Sequence, residues 1–149
     1  MATSFPKAFL EFLKLLNAHE VEYLVIGGYA VGYHGYPRAT GDIDVWIARS
    51  PGTAHKMVQV FNEFGFREGV TPDLFLRERG IIRIGVPPTR LEVTTYIDGV
   101  NFADCYARRR VAYIEGHPIA FLGLEDLRAN KRASGRHKDL ADLENLPEH

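Results

Sequence analysis

The stretch IGGYAVGYHGYPRATGDIDVWIA, residues 26–48, ends one apolar run with two glycines and begins another with two aspartates. Side chains alternate between the faces of a strand, so Asp42 and Asp44 share one face and Ile43 and Val45 the other. At this spacing the two aspartates lie about 7 Å apart at Cα, and their oxygens can converge on a divalent cation. Such a cation would offset their mutual repulsion. The alternative is a hydrated strand end with no ligand.

Residues before the aspartates favour an anion nearby. Gly27 and Gly28 end a short apolar strand and precede a short predicted helix, which leaves backbone N–H groups available to an anion. Arg38 and Thr40 add a guanidinium group and a hydroxyl just before Asp42. Together these residues predict a phosphate-binding loop next to a metal site, although a glycine pair by itself is more often a simple turn.

A later strand repeats the pattern of the aspartate strand. In residues 89–97, Leu91 and Val93 share the apolar face, while Glu92 lies on the opposite face and is followed there by an aromatic residue. If the two strands are neighbours, Glu92 completes a cluster of three carboxylates. The alternative is a glutamate on an edge strand that pairs with Arg90 or Arg83.

The rest of the chain predicts alternating helices and strands. Apolar residues at helical spacing follow Ser4, an expected N-cap, and Ser50-Pro51 predicts the start of another helix that stops at Gly65. The predicted strands span 22–26, 43–48, 81–86, 89–97, 111–114 and 118–121. The further predicted helices span 29–33, 51–64, 101–108, 124–134 and 138–146. We expect one α/β (α+β) domain over residues 1–149, with a core at about 20–146 in which helices flank a mixed β-sheet.

Composition excludes several classes of protein. The net charge of −1 argues against a general polyanion binder, although residues 105–138 hold a local surplus of basic side chains that suits either phosphate binding or a solvated helix face. Cys105 is the single cysteine, so no internal disulfide forms and a cytoplasmic location is expected. We expect no signal peptide and no membrane partner, because the N-terminus lacks a signal pattern and no apolar run is long enough to span a bilayer.

Two segments resemble a known superfamily. GGYAVGYHGYPRATGDIDVWI resembles the first motif of the polymerase-β-like nucleotidyltransferases, in which a Gly-Gly or Gly-Ser pair, a short helix and a turn precede Asp-x-Asp on a strand. LEDLRANKRASGRHKDLADLENL resembles their later motifs, with a helix lysine followed by an arginine and a Lys/Arg-Asp-x-x-Asp run. The likeness extends over residues 23–146. It is strongest to the minimal bacterial and archaeal members, including toxins of abortive-infection type toxin–antitoxin pairs.

The resemblance implies roles for individual residues. Asp42 and Asp44 would bind metal, and Gly27 and Gly28 would contact the triphosphate. Glu92 occupies the position where these families usually carry a third aspartate, so its carboxylate extends one methylene further. In the later motif, Lys131 and Arg136 would reach phosphate, although a helix lysine is more often a surface residue with a buried stem. Asp139 and Asp142 are expected to cap a helix or to pair locally.

The expected reaction moves a nucleotidyl group from an NTP to a hydroxyl, with two Mg²⁺ ions, or Mn²⁺, as cofactors. Asp42, Asp44 and Glu92 are the expected catalytic residues and metal ligands. The acceptor is a tRNA end, a protein or a small molecule, and a cognate toxin or antitoxin is an expected partner. A degenerate module that binds nucleotide or a partner without chemistry is the main alternative. A metal-dependent phosphohydrolase is a third.

Overall fold

The computed structural model describes residues 5–37, 41–86 and 89–148, and six strands in these ranges form one mixed sheet. The strands are β1 (Tyr23–Ile26), β2 (Asp42–Ile47), β3 (Ile81–Ile84), β4 (Arg90–Thr94), β5 (Arg110–Ile114) and β6 (His117–Phe121). The α-helices are α1 (Lys7–Ala18), α2 (Gly27–Tyr33), α3 (Pro51–Glu63), α4 (Phe102–Ala107), α5 (Leu124–Ser134) and α6 (His137–Asn145). Ser4, Arg38 and Thr40, which figure in the predictions above, lie outside the described residues.

The strand order is β3-β4-β2-β1-β6-β5. Strands β2 and β4 run parallel, as do β1 and β6, whereas β1–β2, β3–β4 and β5–β6 are antiparallel pairs. This arrangement confirms the expected mixed sheet flanked by helices. It places the aspartate strand β2 at the centre, between β1 and the glutamate strand β4.

Local sequence signals explain where the helices begin and end. The Ser50 side chain accepts a hydrogen bond from the Thr53 N–H, so Ser50 caps α3 and Pro51 occupies the first helical position, as predicted. Helix α5 ends at Gly135, which adopts a left-handed φ of 65° that glycine accommodates without a Cβ clash. The apolar stripe of α1 is buried in full, as its helical spacing predicted.

The two faces of the sheet differ in the way that the alternation of β2 predicted. Ile43, Val45 and Ile47 are fully buried on one face. On the other face, Trp46 is buried against the Phe102 ring of α4, with ring centroids 5.1 Å apart. Aromatic contacts of Phe12 with Phe61, and of Phe61 with Phe75, join α1 and α3 to a short 3₁₀ helix, Pro72–Phe75.

Several boundaries differ from the predictions, and one element was not predicted. Helix α2 begins at Gly27, two residues before the predicted start at Tyr29. Strand β4 ends at Thr94 instead of Ile97, because Thr95 bonds to Gly80 and Arg77, which lie outside β3. The 3₁₀ helix was not predicted, since its four residues are too few to show a helical period.

Cys105 lies fully buried within α4, and burial together with the neighbouring Asp126 raises the pKa of its thiol to about 12. Among the described residues, no helix combines the length and apolar character needed to cross a bilayer.

Candidate active site

A cavity of about 680 Å³ opens on the face of the sheet that carries the aspartates. Its walls come from the start of α2, from the polar faces of β2 and β4, and from α5 and the beginning of α6. The cavity lining includes Gly27, Gly28, Asp42, Asp44 and Glu92. Residues predicted separately from two distant parts of the sequence therefore meet in one place.

The register of the sheet brings the carboxylates together. Parallel pairing of β2 with β4 places Asp44 directly opposite Glu92, and Asp42 two residues earlier on the same face. The condition stated for Glu92, that its strand neighbours the aspartate strand, is therefore met. Because β3 lies outside β4, Glu92 is on an interior strand, so the edge position in the alternative is wrong, whereas the pairing of Glu92 with Arg83 that it expected is observed.

Asp44 carries the strongest electrostatic signal among the three carboxylates. Burial, and then the charges of Glu92 and Asp42, raise the pKa of its carboxyl group to about 6. Lys138 and Lys131 act in the opposite direction but do not cancel this effect. Burial and two neighbouring carboxylates therefore both disfavour the charged form of Asp44, and a bound cation would favour it.

Two arginines from β3 and β4 already contact the other carboxylates. The Arg90 guanidinium donates to Asp42 Oδ2 at 2.7 Å, and Arg83 Nε donates to Glu92 Oε2 at 3.3 Å. Within the described ranges, no three side chains of His, Cys, Asp or Glu are gathered as a ready-made metal site. The oxygen donors fit Mg²⁺ in their chemistry, and the arginines now supply part of the positive charge that a metal would bring.

Gly27 fits closely beneath Asp44. Its φ is 69°, and a Cβ added at this position would lie 2.2 Å from Asp44 Oδ2. Glycine is therefore required here for two reasons: the left-handed backbone and the absence of space for a side chain. The glycine pair brings bare backbone to the Asp44 carboxylate and to the cavity, which agrees with the predicted triphosphate contact without testing it.

Lys131 and Arg136 both line the cavity, from α5 and from the cap of α6. The Lys131 ammonium is buried, and lies 3.2 Å from Asp139 Oδ1 and 3.1 Å from Asp142 Oδ2. Arg136 Nε donates to Asp139 Oδ2 at 2.7 Å and forms a capping box with it. Burial alone would raise the pKa of Asp139, but hydrogen bonds from Arg136 and Lys131 lower it. The local capping expected of Asp139 is therefore observed, whereas the described partner of Asp142 is Lys131 of the preceding helix.

Several cavity residues were not singled out for the site by the sequence analysis. Arg90 and Arg83 were considered only as partners of Glu92, Thr94 only as a residue on the same strand face, and Arg79 was not considered. Arg90 and Thr94 lie two residues on either side of Glu92, so strand alternation alone could have placed them on the same face. Arg79 lies over the Tyr96 ring at 4.3 Å, a loop contact that leaves no periodic signal in the sequence.

Comparison with solved structures gives the same fold. A Thermotoga maritima protein assigned as a nucleotidyltransferase aligns with 93% of this chain and 89% of its own, at 18% identity and a TM-score of 0.63. The lincosamide antibiotic adenylyltransferase LnuA, solved with lincomycin, aligns over 95% of this chain and 96% of its own, at 16% identity and a TM-score of 0.58. An antigenic nucleotidyltransferase-like protein from Paracoccidioides brasiliensis aligns over 93% and 72%, at 17% identity and a TM-score of 0.51.

No protein-family model matches the chain, and no curated protein matches it. At these sequence identities, the structural likeness establishes the fold and leaves the reaction to be argued from the site. The chain thus has the nucleotidyltransferase fold, with its own carboxylates and glycines lining one cavity.

Proposed function

We propose that this protein is a metal-dependent nucleotidyltransferase, which moves a nucleotidyl group from an NTP to a hydroxyl acceptor. The observation that carries the proposal is the pairing of Asp44 with Glu92 across β2 and β4, next to Asp42 and the Gly27 backbone. The likeness to LnuA, an adenylyltransferase by its description, supports the class of reaction.

Asp42, Asp44 and Glu92 would hold the cation. The donors are carboxylate oxygens, and the pKa of Asp44 is raised first by burial and then by the charges of Glu92 and Asp42, which a divalent ion would offset. Two Mg²⁺ ions, or Mn²⁺, would lower the pKa of the attacking hydroxyl and stabilise the pyrophosphate leaving group. The ion pairs of Arg90 with Asp42 and of Arg83 with Glu92 would open to free these oxygens.

The chain's own groups would bind and orient the two substrates. Gly27 and Gly28 leave the backbone uncovered for the triphosphate, and Lys131 and Arg136 present positive charge from the opposite wall. Arg38 and Thr40, by their position just before Asp42, are proposed as further phosphate contacts. Glu92 would accept the proton of the attacking hydroxyl as general base.

The acceptor is proposed as a tRNA end or a protein in the cytoplasm, with a cognate toxin or antitoxin as partner. The resemblance of the two motifs to toxin nucleotidyltransferases supports this choice. LnuA, which has nearly the same extent as this chain and was solved with lincomycin, supports a small-molecule acceptor instead. Incubation with each class of acceptor shows whether a macromolecule or a small molecule receives the nucleotidyl group.

A degenerate module that binds nucleotide without transferring it is the second candidate. The ion pairs Arg90–Asp42 and Arg83–Glu92 favour it, because they occupy two of the three carboxylates with side chains of the protein itself. The longer side chain of Glu92 at a position usually held by aspartate favours it too.

Incubation of the protein with Mg²⁺, each labelled NTP and a panel of acceptors tests the proposal. The panel contains total tRNA, the product of the neighbouring gene and small hydroxyl compounds. We expect label transfer by the wild type, at least a hundredfold slower transfer by Asp44→Asn, and unchanged transfer by Asp104→Asn. Asp104 is an exposed aspartate of α4 and serves as the matched control.

Nucleotide binding without label transfer to any acceptor, identical in wild type and Asp44→Asn, would establish the degenerate module. Release of free phosphate from NTP with no labelled acceptor would indicate a phosphohydrolase. Equal transfer by wild type and Asp44→Asn would remove Asp44 from the chemistry.

A further inference from the structure

Strand β5 ends the sheet on the side away from the cavity. It pairs with β6, and the strand order places no described strand on its outer side. Its five residues contain no proline, which is one common device for blocking edge-to-edge pairing. An open edge of this kind offers unpaired backbone groups to another strand.

The side chains on one face of this edge are apolar and exposed. Val111 and Tyr113 are 47% and 74% exposed. On the opposite face, Arg110 is exposed, Ala112 half-buried and Ile114 buried. Tyr113 has no described contact that accounts for a large aromatic side chain in water. Arg109 and Glu115 flank the strand at its two ends, and both are exposed. The order along this edge is therefore basic, apolar, apolar, acidic, with Arg109 just before the strand and Glu115 in the turn that follows it, at a φ of 50°.

This order of side chains is complementary to itself. In antiparallel pairing about a two-fold axis through Ala112, residues of the two copies pair so that their numbers are symmetric about 112. Val111 of each copy then lies opposite Tyr113 of the other. Arg109 of each copy lies beside Glu115 of the other, so both ends carry opposite charges. Cross-strand pairs of these types stabilise sheets, whereas a shift of register by two residues would lose the charge pairing.

A groove next to the strand provides space for the aromatic side chain. It has a volume of about 420 Å³, and its lining includes Val111, Tyr106 and Pro118. In the symmetric register, Tyr113 of the second copy lies opposite Val111, which is one of the residues that line this groove. Arg109, at the same groove, lies over the Tyr106 ring at 4.1 Å and is held at the end of the strand where Glu115 of the second copy arrives.

We propose that β5 is a homodimer interface, and that two copies of this chain join edge to edge through residues 109–115 into one continuous sheet. The other edge, β3, is less suited, because Ile81 and Arg83 line the large cavity and a strand paired there would crowd its mouth. Pairing through β5 leaves both cavities open, since β6 and β1 separate β5 from β2. This interface is independent of the proposed reaction.

Sedimentation velocity over a wide concentration range tests the interface. We expect a reversible dimer for the wild type and at least about a tenfold weaker dimer for Tyr113→Lys, since the change removes both symmetric apolar pairs. Ile81→Lys, at the exposed site on the opposite edge, is the matched control and should leave the dimer unchanged. Circular dichroism melts verify that each variant folds.

A charge exchange tests the register. Arg109→Glu and Glu115→Arg should each weaken the dimer by placing like charges together, and the double variant should restore it. A wild type that is monomeric throughout, or a dimer that survives Tyr113→Lys, would overturn the proposal. Equal loss of the dimer in Ile81→Lys would also overturn it, and failure of the double variant to recover would reject the register.

Discussion

At the scale of the residue, Gly27 is the position with the least room for change. An added Cβ would meet Asp44 Oδ2 at 2.2 Å, and the φ of 69° strains any other residue. We expect Gly27→Ala to lower the free energy of unfolding by about 2 kcal/mol or more, and to displace the Asp44 carboxylate. Chemical denaturation measures the first effect.

Gly32 provides the comparison for this prediction. It lies in the same helix, and no atom lies within 4 Å of a Cβ added there. Gly32→Ala should be neutral or slightly stabilising, since alanine has the higher helix propensity. Equal destabilisation by the two substitutions would show that the helix, and not the contact with Asp44, limits position 27.

Asp44 itself is expected to reduce stability in the absence of a cation. Since its pKa is raised to about 6, the charged form is disfavoured by folding at neutral pH. Asp44→Asn should therefore increase the free energy of unfolding at pH 7.5, without divalent ions, by about 2 kcal/mol. Thermal denaturation in chelator measures this. A loss of stability in Asp44→Asn would contradict the electrostatic account.

The pairing of Asp44 with Glu92 was predictable because it requires only strand alternation and the assumption that their two strands are neighbours. Asp44 and Glu92 each precede an aromatic residue on a polar strand face, and the two patterns match. The contact of Arg90 with Asp42 needs the exact register of β2 and β4, which no local pattern encodes. Contributions of Arg38 and Thr40 stay predictions, because both lie outside the described residues.

At the scale of the element, a buried cluster of three charged side chains links α6 to α5. Asp139 and Asp142 of α6 both contact the Lys131 ammonium of α5, and all three side chains are buried. Asp139→Asn should cost about 3 kcal/mol of stability, because it leaves part of the lysine charge uncompensated in a dry site. Urea denaturation measures this, and Glu144→Gln, an exposed change on α6, should have little effect.

A histidine connects the end of α2 to the sheet. His34 Nε2 donates to the Leu122 carbonyl at 2.7 Å, and burial lowers the pKa of its ring from the ordinary value of 6.5. The unfolded chain therefore takes up the proton more readily, so stability should fall as the pH drops below 6.5 towards the folded-state pKa.

Replacement of the histidine tests this pH dependence. His34→Gln retains a donor without the titrating ring and should remove the His34 contribution between about pH 7.5 and 5.5. What remains in this window is the opposite effect of Asp44, whose pKa of about 6 makes folding more favourable as the pH falls, in wild type and variant alike. The exposed His55→Gln on α3 should retain the wild-type dependence. The lowered pKa of Asp139 acts in a separate range, below its ordinary value of 3.8. Identical pH profiles for wild type and His34→Gln would refute the role given to His34.

Most helices and strands were predictable because their signals are local. Ser50-Pro51 and Gly135 mark helix ends by capping chemistry and backbone geometry, and these boundaries were predicted closely. The premature end of β4 was not predictable, since it depends on the hydrogen bonds that Thr95 makes with a distant loop. Residues within one element follow its period, whereas its ends often depend on tertiary partners.

At the scale of the whole molecule, the cavity joins distant parts of the chain, so its ligands should stabilise the fold as a unit. We expect Mg²⁺ together with a non-hydrolysable NTP to raise the thermal midpoint of the wild type. A ligand at a hundred times its dissociation constant contributes about 2.7 kcal/mol. In Asp44→Asn, the part of this rise in thermal midpoint that depends on Mg²⁺ should be lost. An equal increase in both proteins would place the metal elsewhere.

The order of strands was the part of the fold that the sequence left open. Strands β5 and β6 are adjacent in the chain and form an antiparallel pair, but parallel pairing of β2 with β4 joins segments separated by α3 and a long loop. A mixed sheet flanked by helices follows from the order of elements. Which strand lies at the centre depends on packing over the whole chain.

The buried thiol of Cys105 allows local unfolding of α4 to be measured by its rate of alkylation. The thiol is fully buried, and its pKa of about 12 leaves almost no thiolate at neutral pH. Alkylating reagents attack the thiolate, so a folded molecule is protected twice, by access and by ionisation. Since the chain has a single cysteine, each labelled molecule records an opening of α4. The labelling rate therefore reports how often this region unfolds, without any engineered probe.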